Sequence, residues 1–131
     1  MSYNPNSGAG LASVTEVSSV ANFTTGSDTD VLVTTMTVTP GAGTYLVSVS
    51  GMFSQDNNSD ISYVSIYQNG VQVAHTERHI EKFAGAHAHE VFACNAVCTV
   101  ADAQAIDLRA RTSTGGTADV DERSMTVTKI Q

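Results

Sequence analysis

The sequence predicts an all-β protein, a β-sandwich or jelly roll of seven or eight strands. Three observations predict it. Ser, Thr, Val and Ala dominate the chain, and Thr and Val are stiff side chains that favour strands over helices. Apolar residues recur at period two, and no stretch carries a convincing amphipathic helical pattern. Clusters of Gly, Pro, Asn and Asp punctuate the chain about every 8–15 residues, the spacing of sandwich strands.

The elements follow in order. Residues 1–13 are small and polar and read as an N-terminal arm ahead of a single domain over 14–131. Val14, Val17, Val20 and Phe23 recur every third residue, which predicts two short extended pieces with a break near Ser18-Ser19. A turn at Thr24–Asp28 precedes a strand over Asp30–Thr39, with Leu32, Thr34, Met36 and Val38 on one face. Pro40-Gly41-Ala42-Gly43 is a second turn, because Pro presets φ and Gly permits positive φ. Gly43–Phe53 is the central strand. Tyr45, Val47, Val49, Gly51 and Phe53 share one face, and Leu46, Ser48, Ser50 and Met52 share the other, a pattern that suits a core on one side and partial cover on the other.

Ser54–Asp60 is a polar loop. Ile61–Gln68 and Val71–Thr76 flank Asn69-Gly70, the strongest short hairpin signal, since a type I′ turn needs positive φ twice. Glu77–His89 is less regular. Glu90–Val100 is strand-like, and Ala101–Ala103 is a turn. Gln104–Thr112 is a strand with Ile106, Leu108 and Ala110 facing in and Asp107, Arg109 and Arg111 facing out. Ser113–Asp119 is a loop, and Ser124–Ile130 is the final strand.

Composition excludes several function classes. With 131 residues the chain fits one domain. Its net charge is −7 and it has six Lys and Arg together, too few for the phosphate contacts that dominate nucleic-acid affinity. Residues 1–10 have neither the basic nor the apolar region of a secretory signal, and no apolar run approaches the ~20 residues of a membrane span. Synthesis in a cytoplasm without export by that route is expected. Cys94 and Cys98 on a strand would share a face with Cα atoms ~13 Å apart, beyond the roughly 7 Å limit for a disulfide. Buried free thiols are expected; a helical segment would instead bring the two close enough for a bridge or a metal pair.

The histidines, His75, His79, His87 and His89, are interleaved with Glu77, Glu81 and Glu90. On a strand His87 and His89 would share a face ~7 Å apart, so both rings could reach one metal. A jelly roll with His-x-His is similar to the cupin enzymes. The match fails further on, where Ala93 and Cys94 stand in place of a Glu and no later His exists. The other expectation is a polar segment at an oligomer axis or partner contact, where imidazole titration would make assembly pH-sensitive. Asp28, Asp30, Asp56, Asp60, Asp119 and Asp121 sit in or beside loops without the spacing of a calcium loop. No Gly-x-Ser-x-Gly elbow and no phosphate loop are present. No catalytic residue and no cofactor are expected.

The stretch Gly43-Thr44-Tyr45-Leu46-Val47-Ser48-Val49-Ser50 resembles the central Gly-x-Tyr-x-(Phe/Val)-Ser-Val strand of the C1q/TNF-like jelly-roll family. Val64–Gly70 is similar to the family's next strand, which ends in Asn-Gly. Two pieces depart from the pattern. Val100–Leu108 lacks the Gly-Asp of the family's later turn, and Arg123–Ile130 lacks the aromatic-x-Gly of its last strand. That ending is similar to C1q-like proteins of bacteriophage particles. The resemblance covers about residues 30–131.

The resemblance implies a homotrimer, closed about a threefold axis through a flat, partly aromatic face. Tyr63 and Tyr67 are the first candidates for that interface, with Tyr45 or Phe53; the alternative is that all four fill the monomer core. It further implies a structural virion protein rather than an enzyme, a trimeric decoration protein that cements a bacteriophage capsid. Its partners would be itself and the major capsid protein or another virion protein. The arm, with Tyr3, Asn4, Pro5 and Asn6, would dock to the shell. The alternatives are a receptor- or carbohydrate-binding fibre module that takes a host-surface glycan through loops 54–60 and 113–119, and a metal-dependent cupin-like enzyme using His87 and His89.

Overall fold

The computed structural model describes residues 13–83 and 88–131. Ten strands make two antiparallel five-stranded sheets that pack face to face as a jelly-roll sandwich. The strands are β1 (Val14–Ser19), β2 (Phe23–Thr25), β3 (Val31–Val38), β4 (Gly43–Gln55), β5 (Ile61–Gln68), β6 (Val71–Gln72), β7 (Arg78–Glu81), β8 (Ala88–Val100), β9 (Ile106–Thr112) and β10 (Ala118–Lys129). The first sheet runs β1-β10-β4-β8, with β2 taking over from β1 along β10. The second runs β3-β9-β5-β6, with β7 also on β5. The expected arm, with Tyr3, Asn4, Pro5 and Asn6, lies outside the described residues except for Ser13, and so does His87.

Strand β4 follows its alternation. Tyr45, Val47, Val49, Gly51 and Phe53 face the core, and Leu46, Ser48, Ser50 and Met52 face outward. The Tyr45 hydroxyl donates to the Gly41 carbonyl at 2.9 Å, which satisfies its polar end inside the sandwich. Gly51 is required by a close approach. A Cβ there would meet the Phe92 ring at 2.9 Å and the Glu122 carbonyl at 3.0 Å. The space it leaves lets Phe92 pack edge-on to Phe53, with centroids 5.3 Å apart. Tyr45 and Phe53, candidates for an interface, are therefore interior residues of the single chain, with no ring surface left for a neighbour.

Two strands break the period-two rule. In β3 the sequence pattern places Leu32 and Thr34 inward with Met36 and Val38. The structure buries Val33, Met36 and Val38 and leaves Leu32 and Thr34 outside. Residues 33–36 stand where β9 offers only Leu108 between the Leu32–Arg109 and Thr37–Asp107 pairs, and Thr35 takes φ +72°. In β10 the extra residue is Glu122. Ala118 and Val120 face the core before it, and Arg123, Met125 and Val127 after it. The segment expected to be a loop and then a strand is thus one long bulged strand.

Arg123 uses both irregularities. Its guanidinium donates to the carbonyls of Ala21 (2.6 Å), Val120 (2.9 Å) and Thr34 (3.0 Å). It thereby ties the β1–β2 link and the β3 bulge to β10. Burial lowers its pKa, with the Asp121 charge opposing.

The hairpin forms as expected at its turn, with Asn69 at φ +50° and Gly70 at φ +75°. Its second arm is shorter than expected, because β6 is only Val71–Gln72. Cys94 and Cys98 are buried free thiols on the inner face of β8.

At one end of the sandwich Gln55, 2% exposed, joins the sheets. Its Nε2 donates to Ser62 Oγ (3.1 Å) and Thr112 Oγ1 (2.9 Å) of the second sheet. Its Oε1 accepts from the backbone N–H groups of Asn57 and Thr117, both at 3.1 Å. Gln55→Ala would strand several buried groups, and each such loss costs about 1–3 kcal/mol. Denaturant unfolding of this variant is expected to show a loss of about 2–4 kcal/mol, while Asn58→Ala in the same loop changes stability by under about 0.5 kcal/mol.

Candidate interaction surface

The outer face of the first sheet is built from the outward residues of β1, β10, β4 and β8. Leu46 pairs across strands with Val97, and Met52 with Val91. Their exposures are 41%, 63%, 38% and 77%. Between these two aliphatic pairs lie Ser48 against Asn95 and Ser50 against Ala93, with Thr126 and Ser124 beside them on β10. The result is a broad face of small hydroxyls and exposed aliphatic groups. Lys and Arg are absent from the outward positions of β4 and β8 among the described residues. β8 is also the edge of its sheet, and Arg78 Nε, 3.0 Å from the Ala93 carbonyl, attends it. An edge of this length without Pro or Lys invites pairing or cover.

This face ends in a polar row. Thr24, Asp119, Ser54 and His89 lie in register on β2, β10, β4 and β8. Thr24 Oγ1 donates to Asp119 Oδ1 at 2.5 Å, and Ser54 Oγ lies 3.5 Å from Oδ2. The Asp56 carboxyl hydrogen-bonds to Asp119. Its pKa is raised by burial first, then by that hydrogen bond and the Asp119 charge; Lys82 and His89 oppose the rise. Ser, His and Asp therefore do meet, but Ser54 stands between the other two. A nucleophilic triad needs the imidazole in the middle, so the row is not arranged for that chemistry.

Loops 54–60 and 113–119 meet above this row. Asn57 Nδ2 donates to the Gly115 carbonyl at 2.7 Å, Ser113 Oγ to Asp60 Oδ1 at 3.0 Å, and the Asp56 N–H to the Thr117 carbonyl at 3.3 Å. Among the described residues no group of three or more His, Cys, Asp or Glu is placed to hold a metal. His89 is exposed on β8, and His79 lies beside the Tyr63 ring, centroids 5.8 Å apart.

Tyr63 and Tyr67 lie on the other sheet, on its outer face. Arg111 stacks over Tyr63 at 3.6 Å and Arg109 over Tyr67 at 4.5 Å. The Tyr67 hydroxyl bonds to Asp30, and its pKa is pushed up to about 12, by burial first and then by Asp30. Arg111 also reaches Glu77 at 3.2 Å. Each of the two rings thus has an arginine of the same chain over it, which leaves less of it for a partner.

Sequence reasoning missed Val91 and Val97 as surface residues, and the pairing of Asp56 with Asp119. A signal for the first existed. β8 carries apolar residues at adjacent positions, Val91-Phe92 and Val97-Cys98, which marks a strand with two apolar faces.

No protein-family model matches the chain, and no curated protein sequence matches it. The fold has solved relatives. The chain is similar to a chain in the structure of infectious bursal disease virus Gx strain, with TM-score 0.57 and 15% identity over 90% of this chain and 32% of that one. It is also similar to Eiger TNF from S. frugiperda, with TM-score 0.54 and 12% identity over 92% of this chain and 93% of that one. The chain spans about a third of the viral chain and nearly all of the TNF chain. These likenesses define a jelly-roll sandwich of the TNF-like kind.

Burial raises the Cys94 thiol to about 11 and also raises Cys98. A thiol whose folded pKa is raised contributes stability below its ordinary value and loses it as pH rises through the folded value. Both thiols are expected to react slowly with a thiol reagent at pH 8 and rapidly in denaturant. Unfolding free energy should fall between pH 9 and 11, and fall less in Cys94→Ala.

Proposed function

We propose that this chain is a non-catalytic structural subunit of a virus particle, a homotrimeric jelly roll that decorates a bacteriophage capsid. The observation that carries the reading is the outer face of the first sheet. Two exposed cross-strand aliphatic pairs, Leu46–Val97 and Met52–Val91, flank a flat field of small side chains. Contiguous apolar surface of this kind marks an interface, and a second copy of the same neutral face is a fitting cover for it. The fold's likeness to a viral chain and to a TNF supports a contact role, although fold alone does not define function. In this reading the interface uses aliphatic residues instead of the aromatic candidates. The arm, with Tyr3, Asn4, Pro5 and Asn6, reaches the capsid shell.

Sedimentation equilibrium is expected to give a trimer. Val91→Asp and Val97→Asp should each weaken it by roughly 10–100-fold, since truncated or charged anchors cost about 1–3 kcal/mol, without lowering monomer stability. A chain that stays monomeric at millimolar concentration sinks the trimer. Co-sedimentation with capsids, lost on removing residues 1–12, tests the decoration role.

A second reading has one observation in its favour. Loops 54–60 and 113–119 are pinned together at one end of the sandwich, where a fibre module would present a host-surface glycan site. Glycan-array binding lost in Asn58→Ala would support it.

A further inference from the structure

The polar row stands directly beside one of the aliphatic pairs. Ser54 and His89 are two residues along β4 and β8 from Met52 and Val91, so the rows are ~7 Å apart. Whatever covers Met52 and Val91 also removes water from Asp119 and from Asp56, which bonds to it. Asp119 is already nearly buried, at 8% exposed, and holds Thr24 Oγ1 and Ser54 Oγ as donors.

We propose that the Asp56–Asp119 carboxyl pair is a proton-controlled gate on self-association through this face. The inference rests on the reading of the face as the trimer contact. With one proton shared, the pair carries a single negative charge and a neutral hydrogen bond. With both carboxyls ionised, docking must dry two adjacent like charges, which is costly unless they are paired. Around a rotation axis each copy would also bring its own pair towards the others.

The other charged groups act as follows. Lys82, which follows β7, donates through Nζ to the Asp56 carbonyl and keeps its charge across the range. His89 of β8 gains a proton below about pH 6.5 and then offsets the carboxylates. Asp121, on β10 opposite Met52, is a further carboxylate beside the pair. Thr24 and Ser54 are neutral. The raised pKa of Asp56 has the matching sign, since the proton is retained to higher pH than in an isolated carboxyl. Protonation of the pair and of His89 both favour assembly as pH falls.

The test is sedimentation equilibrium of the full chain between pH 5 and pH 8 at fixed ionic strength. The wild-type dissociation constant is expected to rise by about tenfold or more towards pH 8, one pKa unit being a factor of ten. Asp56→Asn should flatten that rise. Asp121→Asn removes the same charge from the neighbouring position and should keep it. Asp56→Ala serves as a second variant of the gate, and thermal unfolding confirms that each variant folds. A wild-type trimer with no pH dependence overturns the gate, as does an equal slope in Asp56→Asn and Asp121→Asn; either leaves the trimer standing. A monomer at every pH overturns the trimer and the gate together.

Discussion

The side-chain amide of Gln55 is the constraint on which the loop end of this molecule depends. A buried amide is stable only when its donors and acceptor are matched. Gln55 matches them with Ser62 and Thr112 across the sandwich and with the Asn57 and Thr117 backbone in the two loops. One side chain therefore sets the distance between the sheets and holds both loops. Because those loops lead into Asp56 and Asp119, it also positions the polar row that closes the outer face of the first sheet.

The opposite side of the sandwich solves a different problem. β3 and β10 each carry surplus residues, which would leave backbone carbonyls without partners in the space between sheets. Arg123 supplies donors to three of them and does so as a buried cation without a carboxylate hydrogen-bonded to it. Carbonyl dipoles do the work that a counter-ion would do elsewhere. Gly51, opposite this bulge, keeps the core filled by admitting Phe92.

The two outer faces are chemically unlike, and the difference supports the functional reading. The second sheet covers its tyrosines with its own arginines, which in turn reach Asp30, Glu77 and Asp107. That face is largely satisfied within the chain. The first sheet has nothing comparable over Leu46, Met52, Val91 and Val97 among the described residues. A contact protein needs one such unsatisfied surface, and the strand with two apolar faces, β8, is its clearest mark.

The sequence by itself determined the all-β class, the central strand with its inward face, the Asn69-Gly70 turn, the inward set on β9 and the free thiols. Each follows from local chemistry: alternation at period two, a turn that demands positive φ, and the reach of a disulfide. Only the tertiary structure decided the rest. The inward face of β3 and the full length of β10 were illegible because a bulge shifts the parity of every residue after it, and a bulge leaves no local mark when its irregular residues are Thr35 and Glu122. The aromatic residues pointed to an interface, yet Tyr45 and Phe53 went to the core and Tyr63 and Tyr67 went beneath arginines. Alternation tells which residues share a face, but which face meets the other sheet, and which is left for a partner, depends on strand order between residues far apart in the chain.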